Sequence, residues 1–517
     1  MNGASTLGRK ILLVTADQQR HDALGCNGGT VARTPVIDGL AAEGINYRRA
    51  HNQNVVCMPA RATMISGQHV RSHGVTMNGI PLPEDTPDIA RLLKDQGGYR
   101  TALIGKAHFE PSSAPGGPYF ENHAAARGLT GPHRGFDRME LCGHTGRAGR
   151  SLFHYPKWLA ETHPNAADGY QEYISPAKEI SALGGGDTGA VQVWHNPIPR
   201  EIYHTDWVAD RTIAWLDSLD PDADWFVWMS FPDPHHPWDP PRSELGRVDW
   251  RDLDLPAAYP GDRDCVIEVL KTKPRHWLDW YLGKTQFAYE VPCGFVPAEM
   301  TADQIREINA MCHIENELID EALGRVLGHI DKRGWGDDLD VIYTADHGEF
   351  QGDFGMMFKD PYHVDALMRL PMIWRPAPSA SVPPEIIEQP VGHVDLARTI
   401  AQAAGVTPDP RMQAAPLPTT SDNDRERVIT EWDRGYDGQS ITLRTICRDG
   451  FVCTVCEPGT AHDGHEGELY DLAADPRQFD NLWDDPARAS LKSDLIADLY
   501  DNLPVARTPA LEQVALV

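Results

Sequence analysis

Ile11-Leu12-Leu13-Val14-Thr15-Ala16-Asp17-Gln18 decides the fold class: an apolar, β-branched run of strand length that stops at two polar residues. Thr34-Pro35-Val36-Ile37-Asp38-Gly39-Leu40-Ala41-Ala42-Glu43 follows, with a threonine placed as a cap and a proline suited to the first helical position. A buried strand leading into a helix is the repeating unit of a mostly parallel sheet with crossover helices. The pattern returns at Tyr99–Ile104, Trp225–Phe231 and Leu339–Thr344, the last preceded by an amphipathic helix predicted from about 301 to 332. Polar residues follow each strand: Asp17-Gln18, then Lys106 with His108, then Pro234-His235-His236-Pro237, then Asp346-His347-Gly348. In open parallel sheets ligands bind beyond the carboxyl ends of strands. A single Asp, His or Gly there is an ordinary turn former; together these exits predict one site.

Composition bounds the rest. The chain has 517 residues, 41% hydrophobic and 24% charged, enough apolar surface for a large core and unlike a disordered chain. Its length allows about three domains, or one large α/β core with an appendage. Lys+Arg number 47 against 75 Asp+Glu, a net charge of −28 that argues against a duplex nucleic-acid surface while permitting a small cationic pocket. No stretch approaches the ~20 apolar residues of a membrane span. The run Ile11–Ala16 behind Arg9 and Lys10 is too short for a secretory h-region, so a cytoplasmic location is expected. The nine cysteines (26, 57, 142, 265, 293, 312, 447, 453 and 456) are scattered and odd in number, which is no disulfide framework. Cys453 and Cys456 form a C-x-x-C without a second pair, and read as buried thiols before they read as a zinc or redox site.

Irregular tracts at about 110–200 and 236–300 carry Gly184-Gly185-Gly186 and the tryptophans 238, 250, 277 and 280. Such tracts serve as lids or oligomer contacts; for the tryptophans, core or subunit contact outweighs an aromatic cage for a quaternary ammonium. Residues 407–424 read as a Pro-rich linker into a terminal unit with strands at Val428–Glu431, Ile441–Arg444 and Phe451–Cys456, a small antiparallel sheet. The expected division is 1–420 and 421–517.

The chemistry centres on Cys57-Met58-Pro59-Ala60-Arg61, followed by Ala62-Thr63-Met64-Ile65-Ser66-Gly67. Pro59 suits the first helical position and Gly67 a helix end, which places Cys57 at a helix N-terminus, where unpaired amides favour anions. Arg61 lies one turn along. This segment resembles the C-x-P-x-R signature of the type I sulfatases of the alkaline phosphatase superfamily, whose cysteine is oxidised to formylglycine. Gly98-Tyr99-Arg100-Thr101 with Gly105-Lys106-Ala107-His108 is similar to that family's second signature, G-Y-x-T-x-x-x-G-K-x-H. Pro234–Pro237 resembles its P-H-x-P, Ala345–Glu349 its S-D-H-G-E, and Glu468–Leu472 with Asp475-Pro476 and Asn481-Leu482 its carboxy-terminal E-L-Y-D-L pattern.

The resemblance implies an alkaline-phosphatase-like fold: a large, mostly parallel mixed sheet sandwiched by helices, with a smaller C-terminal α+β subdomain. Its catalytic domain would be 1–420. It implies metal ligation by Asp17, Gln18, Asp346, His347 and the modified residue 57. Three oxygen-donor side chains and an imidazole suit calcium or manganese, with magnesium as an alternative. A hydrated aldehyde at 57 would attack sulfur, with Asp346 accepting its proton and Arg61 holding the diol. Lys106, Lys359 and His235 would surround the ester, His235 or Lys359 serving as general acid. His108 would deprotonate the remaining hydroxyl to release sulfate, and Asn78 would contact a substrate oxygen. The implied partners are a small anionic sulfate ester and a formylglycine-generating maturation enzyme; apart from the resemblance, the long tail after Asn481 and the extended insertions point to a homo-oligomer. Many sulfatases have a second Asp where this chain has Gln18; the Asp17-Gln18 and Asp346-His347 pairs resemble those of choline sulfatases and phosphonate monoester hydrolases, and Asn78 resembles a similarly placed Asn of phosphonate hydrolases. Lys106 and His108 favour sulfate over the rival reading, a phosphonate monoester or phosphodiester hydrolase. A non-catalytic metal-binding scaffold is the remaining alternative.

Overall fold

The computed structural model describes residues 8–112, 119–143, 153–167, 184–286, 291–292, 294–433 and 440–515. Parts of both irregular tracts, and Cys293, lie outside the described residues. Strands β1 (Lys10–Ala16), β2 (Ile45–Tyr47), β3 (Arg100–Gly105), β4 (Arg138–Leu141), β5 (Trp225–Ser230), β6 (Leu339–Ala345), β7 (Met372–Arg375) and β8 (Glu385–Ile387) make an eight-stranded sheet in the order β8-β2-β7-β6-β1-β5-β3-β4. Central β1 runs parallel to β5 and β6, and β3 runs parallel to β5 and β4. Only β7 runs antiparallel, to β6 and β2. This is the mostly parallel mixed sheet expected from the sequence. The three- and four-residue strands β2, β4, β7 and β8 escaped that reading because runs so short carry no periodicity.

Central strands covered on both faces read as continuous apolar runs, and alternation then divides their side chains between two layers. Ile11 and Leu13 join one core with α2 (Cys57–Ser66), α3 (Ile89–Gly97) and α6 (Leu396–Ala403). Leu12, Val14 and Ala16 join the other, with α1 (Pro35–Glu43), α4 (His204–Asp217) and the second half of α5 (Ala302–Lys332). Helix α5 begins with a capping box between Thr301 and Gln304. Thr34 precedes α1 but does not cap its amides; its hydroxyl donates to Asp38 Oδ1 at 3.2 Å.

At the C-terminal end, β9 (Arg427–Trp432), β10 (Thr442–Arg448), β11 (Phe451–Glu457) and β12 (Gly467–Asp471) form an antiparallel sheet in sequence order. Helix α7 (Ala489–Asp501) covers one face, packing Leu495 and Leu499 against Ile429, Ile446 and Leu469. Cys453 belongs to that face and Cys456 to the core shared with the large sheet, since residues three apart on a strand point to opposite sides. The C-x-x-C is therefore no pair. After α7 the chain returns to the main body: Arg507 N–H donates to Arg71 O, Gln513 Nε2 to Asn78 O and Val514 N–H to Gly79 O.

Trp277 and Trp280 are core residues, and Trp277 takes part in cation–π contact with an internal cation. Lys273 Nζ lies 4.9, 4.6 and 4.4 Å from the ring centres of Trp277, Phe354 and Tyr470. It also donates to Tyr470 Oη at 2.6 Å and Gln478 O at 2.7 Å, and burial pulls its pKa down to about 8. The E-L-Y-D-L motif thus has a structural use: Tyr470, whose hydroxyl donates to Glu468, fastens the 236–300 tract to the C-terminal sheet.

Gly105, the last residue of β3, has φ +109°, and a Cβ there would stand 1.7 Å from Ser230 O of β5. Gly105→Ala is expected to cost at least about 2 kcal/mol from backbone strain and the opened strand pair. Thermal unfolding checks this, and a midpoint equal to wild type would contradict it.

Candidate active site

Strand register sets the site's frame. Ala16 pairs with Ala345, placing Asp17 beside Asp346, and Ser230 pairs with both Thr15 and Gly105. Past the strand ends, Asp17 N–H donates to Asp233 O at 2.9 Å and Lys106 N–H to Ser230 O at 2.9 Å. The polar exits of β1, β3, β5 and β6 are thereby stitched edge to edge.

Helix α2 brings the fifth element. It begins at Cys57, two residues before the expected start at Pro59, and ends at Gly67 with φ +62°. All of its residues are buried. No side chain of the preceding residue caps it; Asn78 Oδ1 instead accepts from Met58 N–H at 2.9 Å. Asn78 is therefore a fastener of the Cys57 segment, a role the sequence reading did not give it. Arg61, with no exposed surface, donates from Nε to Asp346 Oδ2 at 2.8 Å and from Nη1 to Lys106 O at 2.7 Å and Ser230 Oγ at 2.9 Å.

Around Cys57 the donor atoms converge. One ligand atom each from Asp17, Cys57, Asp346 and His347 lie within 4.8 Å of one another. Cys57 Sγ is 3.2 Å from His347 Nε2, 3.4 Å from Lys106 Nζ and 3.8 Å from Asp17 Oδ1. His347 Nδ1 lies 2.9 Å from Gly348 O, an acceptor, so Nδ1 carries the proton and Nε2 turns a lone pair to the cluster. Lys106 Nζ donates to Asp17 Oδ2 and Arg61 engages Asp346 Oδ2, while Oδ1 of each aspartate stands 3.7 Å from His347 Nε2.

The electrostatics follow from enclosure. Burial, then the neighbouring Asp346, pushes Asp17 up to about 6. Burial also opposes ionisation of Asp346, yet Arg61 and Lys106 help hold it well below the ordinary carboxylate range. Burial lowers His347 to about 3 and raises the Cys57 thiol to about 12. Two crowded carboxylates and an imidazole lone pair, all buried, form a donor set that a divalent cation fits. Among the described residues two further groups, Glu84 with Glu110 and His133, and Asp187 with His195 and Glu307, have comparable spacing. Glu110 is already paired with His133, and Glu307 accepts from the Asp187 and Thr188 amides.

Lys359 and His235 stand beside Gln18. Lys359 Nζ donates to Gln18 Oε1 at 2.6 Å and to His235 Nε2 at 2.8 Å, and His235 Nδ1 donates to His236 O at 2.6 Å. Burial, with Lys359 next, holds His235 well below its ordinary pKa, so the imidazole is neutral. His108 is buried two residues beyond Lys106, with its N–H held by Glu121 Oε2 at 3.0 Å; Lys106 and His108 line a small pocket with Ser112 and Phe153.

The family model described as Sulfatase matches residues 9–406. The chain belongs to the sulfatase family. It is a sulfuric ester hydrolase of the alkaline phosphatase superfamily. Among curated relatives, this sulfatase is 25% identical over 504 residues to the multifunctional alkaline phosphatase superfamily protein PehA of Trinickia caryophylli, covering 94% of this chain and 93% of that one. It is 22% identical to the choline-sulfatase of Rhizobium meliloti, over 92% and 82% of the two chains. The crystal structure of a phosphonate monoester hydrolase of Agrobacterium radiobacter superposes with TM-score 0.76 at 22% identity, covering 97% of this chain and all of that one (100%), which establishes the shared fold.

Sequence reasoning missed three residues of the sulfatase site. Ser230, at the end of β5, receives Arg61; His236 and Glu349 face the Gln18 carboxamide. The available signal was position: all three follow or end a strand whose exit is polar. Asn78→Ala leaves the buried Met58 N–H without its acceptor and is expected to cost about 1–3 kcal/mol. A lowered unfolding midpoint checks this; wild-type stability would show that α2 needs no such fastener.

Proposed function

We propose that this sulfatase hydrolyses sulfate monoesters of small alcohols or phenols, with residue 57 converted from cysteine to formylglycine and one divalent cation held by Asp17, Gln18, Asp346, His347 and an oxygen of residue 57. The observation that carries the reading is the convergence of Cys57 Sγ, a carboxylate oxygen from each of Asp17 and Asp346, and His347 Nε2 within 4.8 Å at the end of a buried helix. Calcium or manganese suits these donors, with magnesium as the alternative. When bound, the cation would lower the pKa of a hydroxyl on hydrated residue 57 and balance the two carboxylates. The catalytic unit would be residues 1–420, with 421–517 as the C-terminal subdomain.

The remaining work belongs to side chains. Lys106 and Lys359 approach residue 57 and Gln18 from different strand exits and would hold the sulfate oxygens between them. The general acid would be Lys359: His235 Nε2 already accepts from Lys359 Nζ, so the proton available to a leaving alcohol sits on the lysine. His235 would steer that lysine and line the ester pocket. Asp346 enters as a ligand, since its Oδ1 accepts from the Gln18 and His347 amides and its Oδ2 from Arg61, which leaves it a weak base. His108 would serve as the base in sulfate release. Arg61 would hold the residue-57 segment through the strand ends it clamps. Cys57 has no exposed surface, so its maturation enzyme would act before the chain buries it. Outside the pocket the charge of −28 disfavours polyanionic substrates, which supports small esters over sulfated polymers. The second reading, a phosphonate monoester or phosphodiester hydrolase, draws on Gln18, a carboxamide that removes one negative charge from the donor set.

The deciding experiment uses protein co-produced with a formylglycine-generating enzyme and paired aryl sulfate and phenyl phosphonate esters. The specificity constant for the sulfate is expected to exceed that for the phosphonate, and Cys57→Ala to reduce turnover to background in a folded protein. A higher constant for the phosphonate reverses the ranking, and turnover retained in Cys57→Ala removes residue 57 as nucleophile.

A further inference from the structure

We infer that Glu349 is a positioning residue that fixes the orientation of the Gln18 carboxamide, turning its oxygen toward the metal cluster, and seats Lys359 against that oxygen. This rests on the reading of Gln18 as a metal ligand. An aspartate presents an oxygen whichever way its carboxylate turns. A carboxamide does not: its two ends have nearly the same shape and opposite hydrogen-bonding character, and the wrong end would offer N–H donors to a cation. Something must select the rotamer.

Two neighbours of fixed polarity do so. Behind the carboxamide, Gln18 Nε2 donates to Glu349 Oε2 and lies 3.3 Å from His236 Nδ1, so acceptors face the nitrogen. In front, Lys359 Nζ, which can only donate, contacts Gln18 Oε1 at 2.6 Å. The second oxygen of Glu349 accepts from Phe358 N–H, and from Gln351 N–H at 3.3 Å. Every one of these contacts uses Glu349 as an acceptor, as a carboxylate requires. Phe358 has φ +68°, a left-handed conformation that a bulky residue keeps only where neighbours enforce it. It immediately precedes Lys359. The contacts close a ring from Gln18 through Glu349 and the Phe358 amide to Lys359 and back to Gln18. Glu349 has no exposed surface, and its amide is held by Ala366 O at 3.1 Å. It does not join the group whose ligand atoms converge with Asp17, so its action on the cluster runs through Gln18.

Polarity exchange tests this. In Glu349→Gln one acceptor becomes a donor, and either Gln18 Nε2 or Phe358 N–H meets an N–H; in Gln18→Glu/Glu349→Gln the pattern is complementary again with donor and acceptor swapped. Calcium and manganese are titrated calorimetrically into the metal-depleted full-length chain. Glu349→Gln is expected to weaken binding about 10- to 100-fold, the range for residues that orient metal ligands, and the double variant to recover to within about threefold of wild type. Wild-type affinity in Glu349→Gln, or a double variant as weak as the single one, overturns the inference. Where Glu349→Gln does not fold, Glu349→Asp decides: it keeps the charge but withdraws the acceptor from the Gln18 carboxamide, so binding weakened at least about tenfold supports the inference and wild-type affinity overturns it. Asp346→Asn, run in parallel, separates the two levels. If it binds metal like wild type, the cluster itself is misassigned; if it loses binding while Glu349→Gln keeps it, only the role of Glu349 fails.

Discussion

A guanidinium without exposed surface holds the functional end of this molecule together. Arg61 cannot keep its charge in a closed interior without acceptors on most of its donors. It finds them on Asp346 after β6, on the Lys106 carbonyl after β3 and on Ser230 at the end of β5. Removing one partner of such a buried pair costs about 3–5 kcal/mol, because the other charge is left uncompensated. The same side chain that satisfies strand ends also anchors α2, and α2 carries Cys57. Fold and site are therefore coupled through one residue: the sheet cannot close its carboxyl edge without placing Cys57 beside Asp17, Asp346 and His347.

The charge arrangement has a second consequence. Lys106 takes one oxygen of Asp17 and Arg61 one oxygen of Asp346, leaving the other oxygen of each aspartate turned inward. Across the pocket, Lys359 and a neutral His235 form a donor–acceptor pair around Gln18 Oε1. Cations at the periphery thus orient anions at the centre, and the same cations can meet a tetrahedral monoester. A chain of net charge −28 accommodates this because the positive charge is confined to a few enclosed groups.

How much of this was legible in the sequence varies by element, for physical reasons. The central strands declared themselves because two-sided burial demands unbroken apolar runs, and Asp17, Lys106 and Asp346 because charges stood where those runs stop. Helix α5 was legible from its period, whereas the capping box of Thr301 with Gln304 at its start came from the structure. Strands β2, β4, β7 and β8 were not, since three or four residues cannot show alternation. Asn78 stood out as a site residue but not as a fastener. Nothing in Asn78-Gly79-Ile80 says that its carboxamide will reach Met58, because that contact depends on how two loops stack. The segment after Asn481 read as a tail, yet it forms α7 and returns to grip Gly79. Glu349 stood inside a quoted motif but acquired meaning only when the strand exits placed Gln18 against it.

Everything proposed for this site depends on a cation sitting among Asp17, residue 57, Asp346 and His347. Anomalous diffraction from crystals grown with manganese tests it directly. One strong peak is expected, enclosed by those four side chains, with the Gln18 carboxamide oxygen turned toward it. A cluster without a peak while manganese occupies the Asp187, His195 and Glu307 group would contradict it.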